Sequence, residues 1–272
     1  MSQSLRPRKS LGQNFLIDEN IARKIVRKAE IDPKDIVLEI GPGRGALTKH
    51  LVERAKTVVA VEIDERAARL LTERFEQACA AKRLLVVRQD ILDVDFLEIS
   101  RQLRSSLRVI GNIPYYITSP ILFKVIEHRE VVRDLIMLVQ LEVGERIVAK
   151  PHTKDYGILS VFCQYYAVPK LLFKVSPKAF SPEPKVVSVL LRLDFTQAAV
   201  YGLLDEKLFV AIVRATFGKR RKTLRNGLRY LNLEGLSLSK LHSNLDRRPE
   251  QLSVGDFVKL CNEISLQRGD HR

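Results

Sequence analysis

Ile36-Val-Leu-Glu-Ile40-Gly-Pro-Gly-Arg-Gly45 is an apolar, β-branched run that breaks into three alternating glycines and gives way to a helical pattern over Ala46–Arg54. Glycine tolerates positive φ and lets a ligand approach the backbone, so strand, Gly-rich turn and helix in this order mark a nucleotide-type site. Outward from this stretch, short β-rich runs alternate with amphipathic ones. Strands are predicted at Ile36–Ile40, Thr57–Val61, Leu84–Arg88, Leu107–Gly111 and Asp134–Gln140, and helices at Ala46–Arg54, Glu65–Ala78 and Ser119–Glu127. Such alternation builds a doubly wound α/β domain on a parallel sheet. Lys170–Val175 and Val186–Leu193 flank the proline-rich loop Ser176–Lys185 and, with no helix between them, read as an antiparallel pair closing the sheet. After Asp194 the pattern is helical: Glu206–Phe217 behind the N-cap candidate Asp205, then Lys219–Leu231, Leu236–Asn244 and Val254–Leu266. The expected division is an α/β domain over 1–195 and a small helical domain over 196–272.

Composition narrows the partners. The chain has 272 residues, room for one large domain and one smaller, and its 46% hydrophobic content is ordinary for a globular protein. A formal net charge of +14 is not ordinary, and it favours a polyanion, nucleic acid first, over a merely basic surface. Cys79, Cys163 and Cys261 are odd in number and far apart, which argues against a disulfide framework and against a Cys-x-x-Cys metal site. No metal is expected. The charged N-terminus lacks the apolar core of a signal peptide, and no 18 apolar residues run together, so a cytoplasmic, soluble protein is expected.

Three acids accompany the glycines. The dinucleotide fingerprint is Gly-x-Gly-x-x-Gly, whereas here the third glycine comes one residue early and Glu39 precedes the loop by two positions. An acid there repels pyrophosphate but suits a ligand carrying an amine and a sulfonium cation. Glu39 also has a structural reading, fixing the loop by accepting backbone N–H groups. Glu62 ends the second strand about twenty residues beyond Gly41, where a carboxylate can accept both ribose hydroxyls. Asp90 follows the third strand and can accept from an adenine amino group. A single acid at a strand end is ordinarily a surface or capping residue. Acids at three successive strand ends, on the edge that carries the glycine loop, point to a site. Asn112-Ile-Pro-Tyr115 after the fourth strand reads either as a proline-stopped turn or as a site for chemistry on a flat base. In the second reading a carboxamide oxygen and a neighbouring carbonyl bind the two hydrogens of an exocyclic amine, beside a planar ring.

Taken in order, Glu39-Ile-Gly-Pro-Gly-Arg-Gly45, Glu62, Gln89-Asp90 and Asn112-Ile-Pro-Tyr115 resemble the class I S-adenosylmethionine-dependent methyltransferases, and within them the rRNA adenine N6-dimethyltransferases. Leu11-Gly-Gln-Asn-Phe-Leu16, Ala179-Phe-Ser-Pro-Glu-Pro-Lys-Val186, Phe217-Gly-Lys-Arg-Arg-Lys-Thr-Leu-Arg-Asn226 and Arg248-Pro-Glu-Gln-Leu-Ser253 are similar to the small-subunit branch of that family. The resemblance thus spans almost the whole chain. It implies a Rossmann-like class I methyltransferase sheet, mostly parallel with an antiparallel C-terminal strand pair, followed by a small all-helical domain.

The same resemblance implies S-adenosyl-L-methionine as methyl donor. Asn14 and Leu16 would contact it from a covering N-terminal segment, Gly41 and Gly43 would pass under its methionine part, Glu62 would hold its ribose and Asp90 its adenine. Asn112 would lie near both the methyl donor and the target amine. Tyr115 and Phe180 would complete the catalytic set by stacking on the base, with core packing as the alternative for each. The implied substrate is a pair of adjacent adenosines in the 3′-terminal hairpin of 16S rRNA, each dimethylated at N6, within a partly assembled small ribosomal subunit, by an enzyme acting as a monomer. Phe195–Arg272 carries 14 Lys/Arg against 8 Asp/Glu, densest around Arg220, Arg221, Lys222 and Arg225. Beside a base-modifying core these side chains are expected to track RNA phosphates rather than form a merely solvated face. Two rivals stay open: a large-subunit rRNA adenine methyltransferase of the antibiotic-resistance type, and a non-catalytic RNA-binding assembly factor.

Overall fold

The computed structural model describes residues 5–8, 11–199, 201–231 and 238–269. In chain order the elements are β1 (Phe15–Leu16), α1 (Glu19–Ala29), β2 (Ile36–Ile40), α2 (Thr48–Leu51), β3 (Thr57–Glu62), α3 (Glu65–Arg74), α4 (Glu76–Ala80), β4 (Leu84–Arg88), α5 (Phe96–Leu103), β5 (Leu107–Gly111), α6 (Thr118–Glu127), β6 (Val132–Gln140) and α7 (Leu141–Val148). There follow α8 (Ile158–Tyr166), β7 (Val168–Val175), β8 (Phe180–Ser181), β9 (Ser188–Asp194), α9 (Glu206–Phe217), α10 (Leu224–Leu228) and α11 (Val254–Gly269). Carboxylates start the helices: Asp18, Asp64 and Asp95 accept first-turn backbone N–H groups of α1, α3 and α5, and Asp205 does so for α9, as its position predicts.

Seven strands form one sheet in the order β4-β3-β2-β5-β6-β9-β7. From β4 through β6 the pairings are parallel, and β9 runs antiparallel to β6, placing β7 at the edge. This is the mostly parallel, Rossmann-like sheet expected. The order reverses at β2: the chain winds out through β3 and β4, then returns to β5 on the other side, opening a crevice at the carboxyl ends. Gly111 permits that junction, since a Cβ on it would lie 2.8 Å from the Ile40 carbonyl oxygen. Val37, Val58, Ala60, Ile110, Ile136 and Leu138 pack on one face against Ala22, Ile25 and Val26 of α1. The alternate residues Leu38, Val59, Val109, Leu135 and Met137 are buried as well, so both faces are covered.

At the amino end of the sheet, β5 carries a buried charge. All five N–H donors of Arg108 are used: Nε and Nη2 on Asp134 at 2.8 and 2.6 Å, Nη1 on Asp35 at 2.8 Å, and Nη1 and Nη2 on the carbonyls of Glu30 and Ala29 at 2.8 and 2.6 Å. Those carbonyls end α1, so one guanidinium both bridges two carboxylates and caps a helix.

Contacts divide the chain into two units. The first runs to Gly144 and resumes over Pro169–Thr196; the second takes Glu145–Val168 and the described residues from Gln197 onward. The sequence division falls at 195/196, whereas the second crossing lies between Thr196 and Gln197 and 145–168 groups with the second unit. The second unit has a ring-lined core, with Phe162 and Phe209 centroids 6.1 Å apart and Phe217 and Phe257 5.8 Å apart. Two expected helices differ. Lys219–Leu231 is a turn followed by the short α10, because Gly218 and four consecutive cations oppose a helix there. Of Leu236–Asn244, positions 236 and 237 lie outside the described residues, and the rest holds only a 3-10 turn at Leu238–Lys240. Serine and asparagine, which compete for backbone groups, fit that outcome. The expected helix over Glu65–Ala78 breaks at Phe75, and that over Ala46–Arg54 contracts to α2.

Candidate active site

The crevice at the β2/β5 switch point is a cavity enclosing about 990 Å3, part of it open to solvent. Its floor is the glycine loop. Gly41 and Gly43 take φ of +62° and +56°, a conformation in which side chains are strained. A Cβ on Gly41 would meet nothing nearer than the Asn112 carbonyl at 3.8 Å, so the space above it belongs to the cavity. On Gly43 a Cβ would sit 2.9 Å from the Phe15 ring. The N-terminal segment therefore lies directly on the loop. Arg44 holds it there, donating through Nη2 to the Leu5 carbonyl at 2.6 Å with its guanidinium 4.7 Å from the centre of the Phe15 ring. β1 continues the segment by pairing antiparallel with β8, Leu16 opposite Phe180.

Period two along β2 and β3 sends Glu39 and Glu62 to the same face of the sheet. Glu62 is 4% exposed, and each of its oxygens accepts one backbone N–H, Oε2 from Gly43 at 3.0 Å and Oε1 from Asp64 at 2.9 Å. Burial pushes its carboxyl up, while those two amides pull the other way. Each oxygen retains a lone pair for a further donor. Glu39 corrects one expectation. Its Oε2 accepts from the Thr48 hydroxyl at 2.7 Å, at the start of the helix after the loop, rather than from loop amides. Complete burial pushes its carboxyl up to about 8, against the Thr48 bond. Asp90 follows β4 and accepts from the Leu92 amide at 2.9 Å, capping a 3-10 turn.

All of Asn14, Leu16, Gly41, Gly43, Glu62, Asp90 and Asn112 line this one cavity. Asn112 donates through Nδ2 to the Asn14 backbone carbonyl at 3.0 Å, which leaves its Oδ1 as an acceptor. The two aromatic residues of the expected catalytic set are placed differently. Tyr115 is half-buried, its hydroxyl 2.6 Å from Ser188 Oγ, and burial pushes its phenol up. Phe180 is 3% exposed and packs in the core with Leu16 and Ile25. The exposed tyrosine at the cavity is Tyr116, 67% exposed, which the sequence reading passes over although it follows Tyr115 directly. Gln13, within the covering segment, reaches Asp64 Oδ2 at 3.5 Å and receives the Arg8 amide at 2.9 Å, tying that segment to the end of β3.

In the second unit Arg220, Arg221 and Lys222 are exposed on the turn before α10, and Arg220 donates to the Lys154 carbonyl at 2.5 Å. Arg225, on α10, lies 3.6 Å from Asp246.

The donor set of the cavity fits a sulfonium nucleoside. Two buried carboxyls and a third acid offer acceptors for hydroxyls and amino groups, and among the described residues Arg44 is the one cation in the lining, too few to hold a pyrophosphate. Comparison with known proteins agrees. The family model described as ribosomal RNA adenine dimethylase matches residues 4–266. A protein of Caldanaerobacter subterraneus named ribosomal RNA small subunit methyltransferase A is 42% identical over 271 residues, 96% of this chain and 98% of that one. One of the same name from Alkaliphilus oremlandii is 42% identical over 265 residues, covering 94% and 91%. Among solved structures, a dimethyladenosine transferase from Plasmodium falciparum superposes with a TM-score of 0.75 at 25% identity, covering 93% of this chain and 98% of that one. The 23S rRNA methyltransferase ErmE gives 0.68 at 25% identity, covering 93% and 100%.

Proposed function

Because this chain belongs to the ribosomal RNA adenine dimethylase family, we propose that its substrate is small-subunit rRNA, at two adjacent adenosines of the 3′-terminal hairpin of 16S rRNA, each dimethylated at N6. The chain is an S-adenosylmethionine-dependent methyltransferase. The observation that carries the assignment is the Asn112 carboxamide, fixed through Nδ2 with Oδ1 left as acceptor, in the same cavity as Glu62 and the glycine loop. The names of the curated relatives favour the small subunit over the large.

S-adenosylmethionine, when bound, supplies a methyl group already activated by its sulfonium. In this reading Glu62 accepts the ribose hydroxyls, Asp90 the adenine amino group, the loop through Gly41 and Gly43 passes under the methionine part with Gly41 leaving it room, and Asn14 and Leu16 cover it. Asn112 Oδ1 accepts an N6 hydrogen of the target and turns the nitrogen lone pair toward the methyl donor. Positioning of this kind supplies much of the acceleration in a reaction whose electrophile is already strong. Tyr115 and Phe180 are assigned to the flipped base. Tyr115 is held by Ser188, whereas Phe180 stacks only after its ring leaves the core. Arg220, Arg221, Lys222 and Arg225 are assigned to RNA phosphates. The working form is a cytoplasmic monomer on a partly assembled small subunit. No helix among the described residues is long and apolar enough to cross a membrane.

Mass mapping of rRNA from cells lacking the protein tests the assignment. Two adjacent 16S adenosines should lose their methyl groups. Loss confined to large-subunit rRNA would instead favour the resistance-type activity, and absence of S-adenosylmethionine binding by calorimetry the non-catalytic one.

A further inference from the structure

A second hollow in the first unit lies between α1 and α2. Arg23, Lys24, Arg27, Lys49 and Arg54 line it, with Glu53 the single acid in its lining among the described residues. Glu19, at the start of α1, accepts from Lys49 at 2.8 Å and approaches Arg23 at 3.4 Å. That leaves a surplus of three positive charges. Among the described residues Lys24, Arg27 and Arg54 form no ion pair, and Lys24 rests its ammonium 4.2 Å from the centre of the Phe173 ring.

The fold sets this charge beside the candidate active site. α1 opens three residues after Leu16 of the cavity wall, behind its cap Asp18, and α2 opens three residues after Gly45 of its floor. α1 buries Ala22, Ile25, Val26 and Ala29 against the sheet, which pins its basic face outward. The helix spans about 16 Å at 1.5 Å per residue, so its cations form a row leading away from the cavity. Guanidinium forks suit phosphate oxygens, and a row of cations suits phosphates strung along one strand.

We propose that the α1/α2 hollow binds the phosphate backbone of the substrate RNA beside the modified nucleotides. The contact rests on the rRNA-methylating function proposed above and is separate from the basic turn at Arg220–Lys222. It should supply affinity without base selection.

The test measures binding of the full chain to a 16S rRNA fragment carrying the 3′-terminal hairpin, across a series of salt concentrations. In Arg27→Ala/Arg54→Ala, affinity should fall roughly tenfold or more at low salt, and the slope of log K against log salt should shrink by about 1 per cation removed. Lys24→Ala, made alone, should shrink it by about 1 as well. S-adenosylmethionine affinity and thermal midpoint should match the parent chain, which establishes that the variants fold. Arg101→Ala/Arg104→Ala, an equal charge change outside the hollow, should leave the slope near its parent value. A parent-like slope in both hollow variants, or the same change in the control pair, would overturn the proposal. Normal binding of the fragment with weakened binding of assembled small subunits would also overturn it, in favour of an acidic protein face. Fragment binding without any methyl transfer by the parent chain would sink the proposed function and leave the hollow's role intact.

Discussion

Asn112 Nδ2 donates to the backbone carbonyl of Asn14 at 3.0 Å, joining residues 98 positions apart across the mouth of the switch-point crevice. One bond thereby sets the direction of the carboxamide and the position of the covering segment. Asn112→Ala should lower methyl transfer by about 10²- to 10³-fold, the range seen when one preorganised polar group is removed. S-adenosylmethionine affinity, read by calorimetry, should fall less than in Glu62→Ala. Near-normal dimethylation by the Asn112 variant would remove its proposed role.

Gly43 couples the floor of the cavity to its cover. Gly43→Ala places a methyl 2.9 Å from the Phe15 ring on a backbone with φ of +56°. Strain of about 1–3 kcal/mol must be relieved by displacing the segment. Weaker S-adenosylmethionine binding and faster proteolysis within residues 11–16 are expected, and unchanged values for both would contradict the coupling.

Tyr115 separates ring from hydroxyl. Tyr115→Phe loses the 2.6 Å bond to Ser188 and should cost about 0.5–1.5 kcal/mol of stability while keeping most methyl transfer. Tyr115→Ala should lose nearly all of it. Equal activity in the two variants would show that the ring does not serve the base.

Glu39 makes stability depend on pH. Its carboxyl titrates near 8 when folded, against an ordinary value of 4.5. Between those values the folded state holds the extra proton, so this contribution is complete below about pH 4.5 and fades as pH rises toward 8. The loss amounts to about 5 kcal/mol at most. Glu39→Gln keeps an acceptor for Thr48 but cannot ionise. Urea denaturation at pH 5 and pH 8 should show a smaller difference for the variant, and equal differences would refute the burial argument.

Arg108 acts at the other end of the sheet. Arg108→Met strands Asp134 and Asp35 and uncaps α1, which should lower the unfolding free energy by about 3–5 kcal/mol. Arg192, 3.1 Å from Asp134, keeps the loss toward the lower figure. Cofactor affinity in the folded fraction should hardly move.

Elements set by local pattern were legible in the sequence. Strands β2 to β6 are short apolar, β-branched runs, and the residues that end them fall at the carboxyl edge wherever the strands lie, so Gly41, Glu62, Asp90 and Asn112 could be grouped in advance. β1 and β8 are two residues each and have no period to detect. Gln13 reaches Asp64 only because the covering segment packs beside the end of β3, a contact between distant parts of the chain. The burial of Phe180 follows from that same pairing. α8 is apolar on most sides, so its spacing distinguishes neither strand nor helix. Arg108 left a trace, a charge inside an apolar run, whose meaning depends on Asp134 standing opposite it in the next strand.

The segment Glu145–Val168 leaves the sheet-bearing unit after β6 and returns to it at β7, yet its rings Phe162 and Tyr165 pack on Phe209. During synthesis, therefore, α8 emerges some forty residues ahead of the helix that covers it, and the sheet cannot gain β7 and β9 until that uncovered stretch has been made. A chain cut at Thr196 inherits the same defect permanently: it carries an apolar helix with no partner. Freeing the sheet-bearing unit takes two cuts, with Gly144 rejoined to Pro169 by a short linker.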